Sequence, residues 1–254
     1  MSSYDACFRF YSMSATSSPH LTIPGPALDY YLSQGYYRMH QNLFTCRFLP
    51  IEGSVYTAHW LRLVLADVHD GPEQRRLRRL NARFAVTLRQ FQLTQELEEL
   101  YAAYLGAITF DAPPTVESFL LDGAEHNAFS TGIVEVRDGA RLIAAGIFDT
   151  GARALAGIMN FYHPDYRRHS LGKYLMLLKL DHARRQHYDY YYPGYVVQGY
   201  PKFDYKLFAC PAATQVFDCL TGHWLPFSRE VVAGQSAVLL ADWQEQDPEE
   251  PTTD

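Results

Sequence analysis

This sequence has few of the residues that usually announce a cofactor. Its four cysteines (Cys7, Cys46, Cys210 and Cys219) include no Cys-x-x-Cys pair and no metal-ligand spacing. We therefore expect reduced thiols, no metal and no cofactor. No apolar run approaches the length of a membrane span, and no charged-then-apolar leader opens the chain. The expectation is a soluble, cytoplasmic protein without a membrane partner. Internal repeats are absent as well, which excludes solenoids and propellers.

Tyrosine is abundant, 19 in 254 residues, with seven of them between Tyr188 and Tyr205. A flat apolar ring with a polar tip suits either a core or a pocket that stacks a base. The net charge of −6 is concentrated at one end: the stretch 242–254 holds six acids and no Lys or Arg. Such an acidic, proline-interrupted segment reads as a disordered tail. The remainder carries as many basic as acidic residues, so bulk charge neither favours nor excludes a nucleic-acid partner.

The stretch from Gly146 to Lys206 organises the rest. Residues 153–162 are apolar on both faces, as in a central strand. From Leu171 the apolar residues Tyr174, Leu175 and Leu178 follow a helical spacing, with Ser170 placed to cap the first turn. An aromatic strand, Tyr188–Val197, comes next, so strand, helix and strand make a βαβ-like unit with parallel strands. At the helix start, unpaired N–H groups and Arg167, Arg168 and Lys173 attract phosphate. A solvated basic turn is the plain alternative.

Upstream, a short helix over 28–32 ends at Gly35, and a strand is predicted over 59–68. A helix over 73–84 places Leu77, Leu80 and Phe84 inward and Arg75, Arg76, Arg79 and Arg83 outward, with Arg78 beside them. That arginine face is either solvated or a phosphate contact surface. A second helix covers 94–104 with Glu96, Glu98 and Glu99 outward, and Thr115 caps a short helix through Leu121. Asp138-Gly139 forms a hairpin turn, and Asp149-Thr150-Gly151 a second turn. Three antiparallel strands followed by strand–helix–strand give an α/β fold: a mixed α+β sheet with a GNAT-like acyltransferase core. The expected organisation is an N-terminal subdomain over 1–105, the acyltransferase domain over 106–241 and the tail over 242–254.

Four islands stand out: Gly35-Tyr36-Tyr37-Arg38, Gln74-Arg75-Arg76, Asp165-Tyr166 with Ser170-Leu171-Gly172, and Tyr192-Pro193-Gly194-Tyr195 with Pro201-Lys202-Phe203-Asp204-Tyr205-Lys206. In order and spacing they resemble the motifs of the arginyl-tRNA–protein transferase family, which includes bacterial leucyl-transferring members. Together they span most of residues 30–210. The family's N-terminal Cys-x-x-Cys is reduced here to Cys46, His163 stands where an acid is usual, and Phe203 replaces a methionine.

The resemblance implies transfer of an amino acid, arginine by expectation, from aminoacyl-tRNA to the amine of an acceptor protein exposing an acidic N-terminus. It implies tRNA contacts from Arg38, Arg75, Arg76 and Arg79. Substrate contacts are expected from Arg168, Ser170, Leu171, Gly172, Lys173, Tyr192, Gly194, Tyr195, Lys202, Tyr205 and Lys206. Asp165, Asp204 and His163 are the candidate general bases, His titrating closest to neutrality. Three other readings stay open: a tRNA-dependent ligase acting on a dedicated peptide or small metabolite, an acyl-CoA N-acyltransferase, and a non-catalytic tRNA-binding module. Against the CoA reading, the loop has only Gly172 and lacks repeated glycines.

Overall fold

The computed structural model describes residues 8–11, 22–110 and 112–246. In chain order it begins with β1 (Phe8–Tyr11), α1 (Gly25–Ser33), β2 (Tyr37–Met39), β3 (Asn42–Cys46), β4 (Phe48–Ile51) and β5 (Ser54–Val64). Then come α2 (Pro72–Asn81), β6 (Ala85–Gln90), α3 (Gln95–Leu105) and α4 (Val116–Leu120). The central unit is β7 (Thr131–Asp138), β8 (Arg141–Thr150), β9 (Ala154–Tyr162), α5 (Leu171–Arg185) and β10 (Tyr190–Val197). The chain closes with β11 (Thr214–Asp218), β12 (His223–Pro226) and α6 (Arg229–Gln246).

Nine strands form one sheet in the order β12-β11-β5-β10-β9-β8-β7-β6, with β4 paired to β5. A small sheet, β1-β3-β2, stands apart from it. Among the described residues only β9 and β10 are parallel, joined by the α5 crossover as the sequence pattern requires. The three strands before α5 are antiparallel neighbours, which is the arrangement of a GNAT-like acyltransferase core. Both β5 and β6, from the first hundred residues, are hydrogen-bonded into this same sheet.

Helices cover both faces. Leu171, Leu175, Met176 and Leu180 of α5 pack with Val134, Ile143 and Leu155 of the sheet and with Leu77 of α2. On the opposite face Leu97, Leu100 and Tyr101 of α3 meet Ile133, Ile147 and Phe161. Thr115 caps α4 through its side chain in a reciprocal box with Ser118. Glu98 is not only a solvent-face acid: its carboxylate accepts the Val116 and Glu117 N–H groups at the start of α4.

Several local expectations are corrected. Ser170 sits in the left-handed region (φ 49°) and makes no side-chain cap. Leu80 is exposed, and Phe84, though buried, lies beyond α2, which ends at Asn81. Asp149 and Thr150 belong to β8 and the turn falls after them. β5 begins at Ser54 and gives way to a 3₁₀ turn at Leu65. Helix α6 continues through Gln246, so the first part of the stretch read as disordered tail is helical; residues 247–254 lie outside the described residues.

Candidate active site

The site is a consequence of two parallel strands that separate. β9 and β10 pair only over Ala154–Ala156 against Tyr190–Tyr192. Pro193 then removes a donor, and Gly194 (φ 105°) takes a conformation few other residues tolerate. From there β10 follows β5, with a register shift between Tyr191 and Gly194. β9 bulges in the other direction: Ile147 pairs with Met159 and Phe148 with Gly157, leaving Ile158 extra. A wedge opens between the strands toward their carboxyl ends. The Tyr37 hydroxyl stitches its base, lying 2.7 Å from the Tyr192 carbonyl oxygen and against that of Gly157.

The wedge holds two connected chambers. The inner one, about 380 Å³, has walls from Phe44, Trp60, Met176, Tyr191 and the Gly157–Asn160 bulge. The outer one, about 890 Å³, is lined by Tyr104, Tyr162, Tyr200, Ser170 and Gly172 among others. Asn160, Tyr195, Phe203 and Tyr205 line both. The chain has four lysines, Lys173, Lys179, Lys202 and Lys206, and all four line this cleft.

Lys206 is buried in the wall of the inner chamber, with Nζ 4.6 Å, 5.0 Å and 5.1 Å from the ring centres of Phe203, Tyr195 and Tyr205, the rings shared with the outer chamber. A side chain on Gly194 would press on its Cε at 3.1 Å, which explains the glycine. No carboxylate pairs with Lys206 among the described residues, and burial lowers its ammonium to about 7. Lys179, on the buried face of α5, donates to the carbonyls of Ile147 (3.2 Å) and Met159 (3.4 Å). Burial lowers it too to about 7, opposed by the charge of Asp149. The exposed Lys173 and Lys202 lie over the rings of Phe208 and Phe110.

At the outer chamber's edge α5 begins with no side-chain cap. Its first N–H groups, with Arg167 and Lys173 beside them, form an anion-attracting corner. Gln74 of α2 donates to the carbonyl of Phe208, whose ring lies under Lys173. This brings the amino end of the arginine-rich helix next to that corner. Arg75, Arg76 and Arg79 are exposed on α2, while Arg78 is held between Asp70 and Asp181.

The structure gathers Ser170, Gly172, Lys173, Gly194, Tyr195, Lys202, Tyr205 and Lys206 around the cleft. Other expectations are not met. Arg38 reaches the inner chamber's wall but is 4% exposed, and its guanidinium is spent on Asp149 (3.0 Å), Thr131, Asn127 and the carbonyls of His40 and Leu120. It has no donor left for phosphate, so it is a core ion pair and not a tRNA contact. Tyr192 faces the other side of the sheet, against Trp224, where burial raises its hydroxyl to about 12. Leu171 is fully buried in the core, and Arg168 lies beside His169 outside both chambers.

None of the three candidate bases lines either chamber. His163 and Asp165 form a surface cluster with Arg141, whose guanidinium is 2.7 Å from His163 Nε2 and 3.6 Å from Asp165. Asp204 is paired with Arg229 at 2.6 Å. Among the described residues no three His, Cys, Asp or Glu side chains come together as a metal site. Sequence reasoning missed Lys179. The available signal was a lysine three and four residues beyond Met176 and Leu175, inside the buried stripe of α5.

The split mixed sheet, its crossover helix and the wedge define a GNAT-like acyltransferase fold. Residues 96–214 match the family model described as "Arginine-tRNA-protein transferase, C terminus", so the family resemblance read from the sequence holds over that segment. The matched segment contains all four lysines. An aspartate/glutamate leucyltransferase of Hahella chejuensis is 34% identical over 139 residues, covering 52% of this chain and 58% of that protein. One of Xanthomonas campestris pv. campestris is 29% identical over 158 residues, covering 58% and 61%. The chain thus spans about three fifths of the length of these relatives. A GCN5-related N-acetyltransferase structure from Kribbella flavida overlaps 54% of this chain and 47% of its own, with 16% identity and a TM-score of 0.31, an overlap too slight to carry an argument.

Proposed function

We propose that this chain is an aminoacyl-tRNA-dependent transferase that forms a peptide bond on the amine of an acidic acceptor. The observation that carries the reading is the wedge itself: an aromatic-walled cleft lined by every lysine of the chain, opening beside an uncapped helix start. The outer chamber suits a tRNA 3′ end, with phosphate at the α5 start, Arg167, Lys173 and Lys202 and the terminal base among tyrosine rings. Arg75, Arg76 and Arg79 would continue the phosphate contacts along α2. The names of the matched relatives support the same reaction class.

In that reaction the acceptor's amine nitrogen attacks the ester carbonyl carbon. A C–N bond forms, the bond to the ribose oxygen breaks, and the amine's proton ends on that oxygen. The aminoacyl ester is already activated, so alignment supplies much of the acceleration, with a ceiling of roughly 7–11 kcal/mol. Lys206 takes the role first assigned to Asp165, Asp204 or His163. An amine titrating near 7 can accept the acceptor's proton and return it to the leaving oxygen. The Lys206 Nζ also lies over the three rings, Tyr195, Phe203 and Tyr205, that line both chambers.

Charge bears on the identity of the transferred residue. A guanidinium needs a carboxylate, and the two chambers offer only Glu52, exposed at the outer one. We therefore propose an uncharged donor side chain in place of arginine, and the leucyltransferase names of the relatives agree.

The test is a transfer assay with tRNA charged separately with labelled leucine, other uncharged residues or arginine, and peptides beginning with Asp, Glu, Gln or Lys. Leucine or another uncharged residue moving onto Asp or Glu is the expected result. Transfer of arginine alone would refute the donor assignment. Absence of transfer from every charged tRNA would refute the reaction class.

A further inference from the structure

The inner chamber has a polar floor that the proposed chemistry leaves unused. A methyl group built on Gly157 would lie 3.1 Å from Lys179 Nζ and 2.5 Å from the Tyr191 hydroxyl. Both polar atoms therefore converge on one point at the bulge of β9. Lys179 is 1% and Tyr191 1% exposed, yet both line the chamber. An ammonium has three donors, and only two of those of Lys179 are taken, by the Ile147 and Met159 carbonyls. The Tyr191 hydroxyl has no hydrogen-bond partner among the described residues. The nearby acid, Asp149, meets Arg38 and Thr131 through Oδ1, and its charge reaches Lys179 from outside the chamber. No Asp or Glu lines the chamber itself, so its floor presents a cation and a hydroxyl with no ion-pair partner among the described residues.

Burying such a cation without an anion is costly, and an incoming carboxylate would supply the missing charge through charge-assisted bonds. The walls above it (Phe44, Trp60, Met176) are apolar, which fits a short aliphatic stem below a polar head. A tRNA phosphate, attached to a ribose chain, suits the wider outer chamber instead.

We propose that Lys179 and Tyr191 form a carboxylate-binding floor that receives the side chain of the acceptor's first residue and presents its amine to Lys206. This rests on the acceptor reading given above. It makes Lys179 and Tyr191 specificity-determining residues, separate from the proton transfer at Lys206.

The experiment measures binding of two amidated peptides, one beginning with Glu and one with Gln, to the full chain without tRNA, by calorimetry. Steady-state transfer with the same peptides is measured in parallel. The wild type is expected to prefer Glu by at least tenfold. Tyr191→Phe, which removes one oxygen, and Lys179→Met should each erase most of that preference. The loss should appear in the KM for the Glu peptide, with kcat at saturation within about threefold and Gln binding unchanged. If both variants keep the wild-type preference, the floor proposal is overturned while the acceptor reading stands. If the wild type binds neither peptide, the acceptor reading itself fails and takes the floor with it. Tyr191→Phe decides the matter should Lys179→Met fail to fold.

Discussion

Two buried lysines in one cleft should leave a signature in the dependence of stability on pH. In the unfolded chain a lysine titrates near 10.5, whereas burial brings Lys179 and Lys206 down to about 7. Between those values the unfolded chain holds a proton on each lysine that the folded chain has released. Raising the pH therefore favours folding, with a slope of roughly 1.4 kcal/mol per pH unit for each group. Below pH 7 both states are protonated and the full cost of burial is present. Across pH 7.5–9 each lysine contributes about 2 kcal/mol of recovered stability. Burial lowers His59, His169 and His182, which places their titration below this window, and the opposing deprotonation of unfolded tyrosines has barely begun. The half-buried Cys219 thiol, pushed up in the folded state, opposes the trend only toward the top of that window. Lys206→Met removes one of the two contributions and leaves Cys219 untouched. Urea unfolding followed by tryptophan fluorescence at half-unit pH steps measures the difference directly. The variant should be the more stable near pH 7, with its advantage shrinking by about 2 kcal/mol by pH 9. Parallel profiles for wild type and variant would show that Lys206 is not buried as a reluctant cation, and the proton-transfer role would go with it.

Replacing Arg75 and Arg76 together by alanine should weaken tRNA binding and reduce the salt slope by about 2; filter binding between 50 and 200 mM salt checks this, and an unchanged slope removes α2 from the tRNA surface. Arg38→Met strands the buried Asp149 carboxylate and should cost about 3–5 kcal/mol in chemical unfolding, a loss the partner change Asp149→Asn should partly reverse. Gly157→Ala intrudes between Tyr191 and Lys179; it should raise the KM for a Glu-initiated peptide at least tenfold, read by steady-state transfer, while tRNA binding is retained.

The central unit was legible because each of its elements has a distinct period and a distinct stop. The apolar run of β9, the 3.6-residue spacing of α5 and the Asp138-Gly139 turn (φ 59° at Gly139) all agree with the architecture. β6 was not legible. Its six residues form an exposed edge, Val86 and Leu88 alternating with polar neighbours, and that short pattern is weak beside the arginine-rich helix preceding it. α6 was hidden for a similar reason, since its apolar residues do not gather on one stripe.

The candidate bases failed on a different ground. Residue type and proximity to a motif say nothing about direction, and the 3₁₀ turn at Pro164–His169 carries Asp165 outward to Arg141. Arg38 shows the converse. It lies in a motif of plausible cationic function, but only the fold reveals Asp149, 111 residues away, as its partner. Lys179 is one polar residue on the apolar face of α5; its meaning depends on the bulge in a strand 20 residues earlier.

That every lysine of the chain faces one cleft also makes the molecule readable by amine chemistry. Side-chain acylation has no other ε-amine to report on, so a mass shift on any lysine is a report on the site. The two depths differ in what limits reaction. The outer pair is open to solvent, whereas the inner pair, lowered by burial to about 7, is only partly protonated near neutrality and admits only what fits through the wedge. A small acylating agent and a bulky one, used in succession at pH 7, would separate these populations. Protection of the inner pair by a bound acceptor would then be visible without any turnover.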